Sequence, residues 1–579
     1  MNFIKTLFAV LIANIVLCAL VFAALMITGV AMKVAQKPKV EKGSYLVVDI
    51  YGEVQEYDPP ESILSDVIGD HPETLHRILG NLEKAAVDDR IKGVVMKVSS
   101  NNTLGYAMIE EVRGAIARVK EAGKPVYAFS DNMDRKTLFL ASACDSIFMP
   151  EVGELELVGM GYMEPFIKGT LDKLDIRPNI HRIKDYKSAA EPVMRKDMSP
   201  QAKEMMGWII DDVWDAQLSA ISEDRGIPRE KIVEDMNYAL FLAQEAKDAG
   251  FIDGVVYWSD LEDRLKGDDD ELKAVSQGRY AKVTRGSVGL DGDDKIAVIH
   301  AHGMIGGRKS RVDSGLGVIM GHETVVAQLR AAAEDEKVKA VIFRVDSNGG
   351  EALTSDIIGH EVERVAAEKP VIVSMVDVAA SGGYSISYRA TRLVADATTI
   401  TGSIGSISGK FNTSGMWNKI GMTFDGVTKG PNSLLFSSQT DFTDAQRKRF
   451  EQNHWDGFNL WVKDIARKRG MTFDEVMSIA EGRVWTGRQA KENGLIDEIG
   501  GLDRAIEVAK EESDIAEDAK VTIVDYPKKK GLLTLLTEGD EPGEVVGTIL
   551  FRAIHHELAE TLRLLSNGRW AVWEGRFVD

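Results

Sequence analysis

The sequence predicts two tandem α/β units, each a mostly parallel sheet covered by helices. Two observations carry this. Apolar, β-branched runs alternate with helix-compatible segments: strands near residues 45–50, 91–98 and 126–130, helices near 74–86 and 107–121, with the pattern restarting at Lys295. The chain also repeats itself. Residues 91–98 (IKGVVMKV) match 338–345 (VKAVIFRV), Lys124-Pro125-Val126 matches Lys369-Pro370-Val371, and 246–253 (AKDAGFID) matches 490–497 (AKENGLID). The offsets are 247, 245 and 244 (338−91, 370−125, 490−246), so three collinear matches at nearly constant spacing mark a duplicated unit. A chain of 579 residues is in any case too long for a single core.

Taken in order, the chain opens with residues 1–44, an expected membrane anchor and its flank. Residues 7–32 carry no charge and are long enough to span a bilayer as a helix, longer than the apolar region of a cleaved signal peptide; cleavage near Gly29-Val30-Ala31 is the alternative. Lys33, Lys37, Lys39 and Lys42 follow the span while only Lys5 and the terminal amine precede it, a distribution that by itself favours a cytoplasmic body. The first α/β unit is expected over 45–266, an Asp-, Gly- and Ser-rich linker over 267–294, the second unit over 295–510, and an extension over 511–579 with an amphipathic helix at 545–565 that would dock on the body, on a neighbouring subunit or on a membrane surface. Net charge is −20 and the pI about 5.1, which disfavours a nucleic-acid partner because phosphates would be repelled, and none is expected. The two cysteines, Cys18 and Cys144, build no disulfide framework.

The segment 370–389 (PVIVSMVDVAASGGYSISYR) concentrates the chemistry. It reads as strand, small-residue turn and helix, with Ser381 at the turn. A serine there exposes its oxygen beside the unpartnered N–H of Gly382, an arrangement that suits a nucleophile with an adjacent oxyanion donor; the alternative is a helix-capping serine. The two copies differ around it. The second copy keeps Gly349-Gly350 at the end of its strand, where the first has Asn102-Thr103, and Arg135 stands opposite Ser381 (381−135=246). Paired glycines let backbone amides approach a ligand. No HExxH or GxSxG pattern occurs, the histidines are scattered, and no metal or cofactor is expected. A lysine kept neutral by burial can act as the base. Lys187, in Asp185-Tyr186-Lys187-Ser188-Ala189, has no counterpart in register in the second copy, so the losses are complementary, as expected if one site is assembled from both halves. The alternative is a surface lysine paired with Asp185 or Glu191.

These residues resemble a known family. Ala380-Ser381-Gly382-Gly383-Tyr384, Thr401-Gly402-Ser403-Ile404-Gly405, Tyr186-Lys187-Ser188-Ala189 and Trp485-Thr486-Gly487-Arg488-Gln489-Ala490, in this order of roles and over residues 45–510, are similar to signal peptide peptidase A in its long tandem-domain form, a branch of peptidase family S49. The resemblance implies tandem Clp-protease/crotonase-like domains behind an N-terminal transmembrane helix and a serine endopeptidase with a Ser/Lys dyad. Ser381 would be the nucleophile, Lys187 the general base, Ser403 the hydroxyl orienting the lysine, and the amides of Gly349 and Gly382 the oxyanion hole. It further implies a homotetramer, signal peptides left in the membrane as substrates, and a body on the periplasmic face of a bacterial inner membrane, against the lysine count at the anchor. One departure stands out: the family's Asn-Ser-Pro-Gly-Gly is here Asp346-Ser347-Asn348-Gly349-Gly350, without the proline and with an added charge. The rival functions are a crotonase-like acyl-CoA enzyme, which would leave Ser381 and Lys187 unused, and a non-catalytic membrane-tethered scaffold. A phosphate loop at 402–409 lacks its lysine.

Overall fold

A computed structural model describes residues 39–57, 73–313 and 315–527. The expected span at 7–32 and the amphipathic segment at 545–565 lie outside them, and among the described residues no helix is long and apolar enough to cross a membrane.

Two sheets with the same strand order form the body. The first runs Gly254–Val255, Ser146–Met149, Val126–Phe129, Ile91–Asn102, Ser44–Gly52, Ala274–Ser276, all parallel. The second runs Glu498–Ile499, Arg392–Ala395, Val371–Ala380, Val338–Ser347, Asp294–His302, Val521–Tyr526, again parallel. The duplication read from the sequence is therefore a duplication of fold. Central strands such as Val338–Ser347 are covered on both faces, which is why they are continuous Val, Ile and Phe runs rather than alternating ones. Each such side chain contributes roughly 1.5–3 kcal/mol on burial.

The same topology moves two boundaries. Residues 267–294 were expected to be a linker, but Ala274–Ser276 pairs with Ser44–Gly52 as an edge strand and Tyr280 is fully buried in the first core. The extension expected from 511 likewise begins inside the second unit, because Val521–Tyr526 pairs with Asp294–His302. Short strands carried by Asp- and Gly-rich flanks have little periodicity of their own, and their partners lie more than 200 residues away.

The halves are joined at several places, among them three seams. The strand Arg177–Arg182 leaves the first unit to pair antiparallel with Ile407–Asn412 of the second. The helix Tyr106–Glu121 begins at Gly105, which has no capping side chain; Asp377 from the second sheet caps it instead, accepting from the Ala107 and Met108 amides at 3.1 and 3.3 Å. Arg344, fully buried on the second sheet, donates to Glu56 (2.7 Å) and Glu111 (2.6 Å) of the first unit and to Ser374 (2.9 Å). The sheet also changes partners near its carboxyl end. Val371–Ala380 leaves Arg392–Ala395 after Met375 and pairs with Ile400–Gly402 from Val378 onward. That exchange puts Gly402 opposite Ala380 and so sets Ser403 beside Ser381.

Candidate active site

Ser381 follows directly on its strand with φ 56° and ψ −113°, a backbone conformation that residues other than glycine rarely adopt and that the surrounding contacts must hold in place. Its N–H donates to the Gly402 carbonyl at 2.9 Å. The helix after it is a single turn, Gly382–Ser385, and the Ser381 side chain makes no capping bond to it. The hydroxyl is thus not spent on the helix. It meets the Lys187 amine, with Nζ 3.1 Å from Oγ.

Lys187 reaches this point because the arm that carries it is stitched to the second unit. Five residues after the strand Arg177–Arg182, the chain turns into the short helix Ser188–Ala190 with Lys187 at its start. The side chain runs inward and is 6% exposed. Besides Ser381, Nζ touches the Ser403 carbonyl at 2.9 Å and the Ser403 hydroxyl at 2.7 Å. Burial alone lowers its pKa from 10.5 to about 7. The carboxylates that the surface-lysine alternative requires are occupied elsewhere: Asp185 is exposed and lies 3.8 Å from Arg182, and Glu191 accepts from Arg182 (2.7 Å) and from the Ser199 amide (2.9 Å). Three oxygens around one amine suit a neutral lysine, with two N–H groups donating to the Ser403 carbonyl and hydroxyl and the lone pair accepting from the Ser381 hydroxyl. Ser403 itself has φ 51°, held by a 2.6 Å bond from its N–H to the Arg483 carbonyl.

The expected oxyanion donors are only half in place. Gly382 opens its one-turn helix, where N–H groups have no helical acceptor. The Gly349 N–H, by contrast, donates to the Ser347 hydroxyl at 3.1 Å, so this donor is engaged rather than free. Gly349 sits at φ 101°, and a Cβ there would fall 2.5 Å from the Gly382 nitrogen and 2.9 Å from Ser381 Cβ; only glycine lets the two backbones meet. Ser347 supplies the stiffness that the absent proline would have given, since its hydroxyl also donates to the Gly303 carbonyl at 2.6 Å. Asp346 is used as well, accepting from the Val378 amide at 3.1 Å. Burial and the proximity of Asp346 push the neighbouring Asp377 up to about 7.

Sequence reasoning missed three supports. Gly482, at φ +84°, lies flat against Lys187: a Cβ there would sit 2.5 Å from the lysine's N, Cα and Cβ. Trp208 and Trp485 stack across the halves at 5.1 Å, and Tyr186 stacks on Trp208 at 5.9 Å, which holds the residue before Lys187. Ser347 is the third. None has a spacing signature, and Gly482 is one glycine among 53. Gly482→Ala should therefore lower kcat/KM about 10- to 100-fold by displacing the amine, with the fold retained by circular dichroism; activity within twofold of wild type would show that the contact is not needed.

The corresponding place in the first unit is filled. Arg135, opposite Ser381, is fully buried, donates from Nε to the Val158 carbonyl at 3.1 Å, bonds Gln217 and lies over the Trp214 ring at 5.4 Å. The contact between Ser381 and Lys187 is instead assembled from one residue of each copy.

The model of Peptidase family S49 matches residues 118–273 and again 363–516. The chain is 32% identical over 508 residues to "Serine protease SPPA, chloroplastic" of Arabidopsis thaliana, covering 86% of this chain and 74% of that one. It is 32% identical over 484 residues to "Protease 4" of Haemophilus influenzae, covering 80% and 77%. Among solved structures, a ClpP1 mutant from Listeria monocytogenes is similar at 13% identity and a TM-score of 0.24, covering 36% of this chain and 94% of that one.

Proposed function

This chain belongs to peptidase family S49 and is a serine protease, and from that premise we propose that Ser381 is its nucleophile and Lys187, donated by the other half of the chain, its general base. The observation that carries the reading is the 3.1 Å contact between a buried amine and a strained serine, with no carboxylate among the amine's partners. Neutral Lys187 takes the Ser381 proton as Oγ attacks the peptide carbonyl, forming a tetrahedral intermediate. The resulting ammonium protonates the leaving amine, and the acyl-enzyme is hydrolysed by water activated by the same lysine. Ser403 receives two N–H bonds and keeps the lone pair aimed at Ser381. The oxyanion is met by Gly382 N–H, and by Gly349 N–H once it exchanges the Ser347 hydroxyl for the stronger, charged acceptor. One such donor is worth about 3 kcal/mol of the barrier.

The neutral fraction of Lys187 sets the pH dependence. With a pKa of about 7, acylation should rise tenfold per pH unit below that value and level off above it. The test is the rate of Ser381 labelling by a fluorophosphonate across pH. An imidazole would titrate close by, so the deciding arm is Lys187→Ala: the acid limb should vanish along with all but a trace of the rate, and a surviving limb of normal height would remove Lys187 from the mechanism. An acyl-CoA enzyme or an inert scaffold would leave Ser381 unlabelled.

The proposal extends to the setting implied by the sequence. The uncharged stretch at 7–32 anchors the protein in a bacterial inner membrane with the body on the periplasmic face; the body assembles as a homotetramer on a Clp/crotonase-like frame, and the substrates are signal peptides left in the membrane.

A further inference from the structure

Where the first unit meets two strands of the second sheet, two imidazoles and a carboxylate converge. His300 Nε2 is 3.1 Å from Asp525 Oδ1, and His76 Nε2 is 3.3 Å from Asp525 Oδ2. One potential ligand atom from each residue lies within 4.8 Å of the others. Bonds of about 2.0–2.1 Å at tetrahedral angles place neighbouring ligand atoms about 3.3 Å apart, near the two nitrogen–oxygen distances here, which fall on the two different oxygens of Asp525. The other nitrogen of His300, Nδ1, is held by Glu56 Oε2 at 2.9 Å, the carboxylate–imidazole support that fixes the ring of a metal-bound histidine. Charge also favours a cation. Among the described residues Glu56, Glu111 and Asp525 meet one guanidinium, Arg344, through these contacts, so with the imidazoles neutral, as metal ligands must be, three negative charges face one and a divalent ion would offset the excess. His300 is buried at 3% exposure, whereas His76 and Asp525 keep 29% and 34% of their side-chain surface, so the site is rooted in the core and open at its rim.

We propose that His76, His300 and Asp525 bind one divalent transition cation of the Zn²⁺ type, with Glu56 orienting His300 and the remaining position open to water. Two nitrogens and one oxygen suit zinc rather than the all-oxygen shells of calcium or magnesium. The ion would be a clasp. Its ligands come from the first unit's helix Leu75–Val87, from the strand Asp294–His302 and from the edge strand Val521–Tyr526, separated by 224 and 225 residues (300−76, 525−300). No sequence spacing could have announced it. Two residues beyond His300, His302 stands 3.4 Å from Asp346 at the base of the Ser347–Gly350 loop, so the clasp steadies the strand that supports the oxyanion side of the site. The proposal is independent of the Ser–Lys assignment.

The test uses the full chain, purified without a polyhistidine tag and stripped with a chelator, then titrated with Zn²⁺ against a chromophoric competitor and, separately, with Co²⁺. Wild type should take up one equivalent, and bound Co²⁺ should show the visible absorption of a low-coordinate site. His76→Ala and Asp525→Asn should each weaken uptake by about 100-fold or more. Both substitutions lie at the open rim, and far-UV circular dichroism with a cooperative urea transition reports that each variant is folded. Absence of saturable uptake by wild type would mean that these contacts are proton-bridged ion pairs only. Equal uptake by wild type and both variants would place the ion elsewhere; either result overturns the proposal.

Discussion

Lys187→Met should abolish peptide hydrolysis and at the same time make the protein harder to unfold. The second half follows from linkage. In the unfolded chain the amine titrates near 10.5, in the folded chain near 7, because burial disfavours its charged form. Between those values the unfolded state holds more protons, so stability rises with pH across that window. Below about pH 7 the cost of the buried charge is fully present, and above about 10.5 it has gone. A shift of this size corresponds to roughly 5 kcal/mol. Methionine removes that cost in a side chain of similar reach, while the Ser403 carbonyl and the two hydroxyls lose a partner at about 1 kcal/mol each. A net gain of about 2 kcal/mol is expected at pH 6, falling through zero near pH 8 to a net loss of about 2 kcal/mol by pH 10, measured by urea unfolding of both proteins at several pH values. Equal stability at pH 6 would mean that the lysine is not desolvated, and with it would go the reason for calling it a base. Ser381→Ala should be equally inactive but should show no such pH-dependent gain.

Arg344→Leu should destabilise the body by about 3–5 kcal/mol, the cost of leaving buried carboxylates without their cation. Glu56 and Glu111 belong to the first unit and Arg344 to the second, so the substitution strikes the seam between them. The three guanidinium nitrogens go to three different acceptors, Glu56, Ser374 and Glu111, a pattern that an ammonium cannot copy, and Arg344→Lys should recover little of the loss. Hydrolysis should fall as well, although Arg344 touches neither reacting group, because Lys187 is held against Ser381 only while the halves are docked. The measurement is urea unfolding followed by labelling of Ser381 in the native baseline. A change in stability below about 1 kcal/mol would show that the seam does not depend on this ion pair.

Much of this was legible in the linear sequence, and for a definite reason. Hydrophobic period and the constant offset between copies are local or collinear properties, so the tandem α/β units, the loss of serine at Arg135 and the unmatched Lys187 could all be read without coordinates. Family membership follows from the same motifs. Whatever depends on pairing across the chain could not be read. The strand Ala274–Ser276 looks like linker until it is seen beside Ser44–Gly52, and Gly349 looks like a free donor until the Ser347 hydroxyl is found 3.1 Å away. By itself the sequence determined the tandem α/β units and singled out Ser381 and Lys187, one in each copy, as the proposed pair. Only the tertiary structure decided that Lys187 is dry, that its amine lies 3.1 Å from Ser381, and that His76, His300 and Asp525 converge. Burial and distance belong to the packed chain, because the water and the neighbours that set them are excluded or supplied by segments hundreds of residues apart.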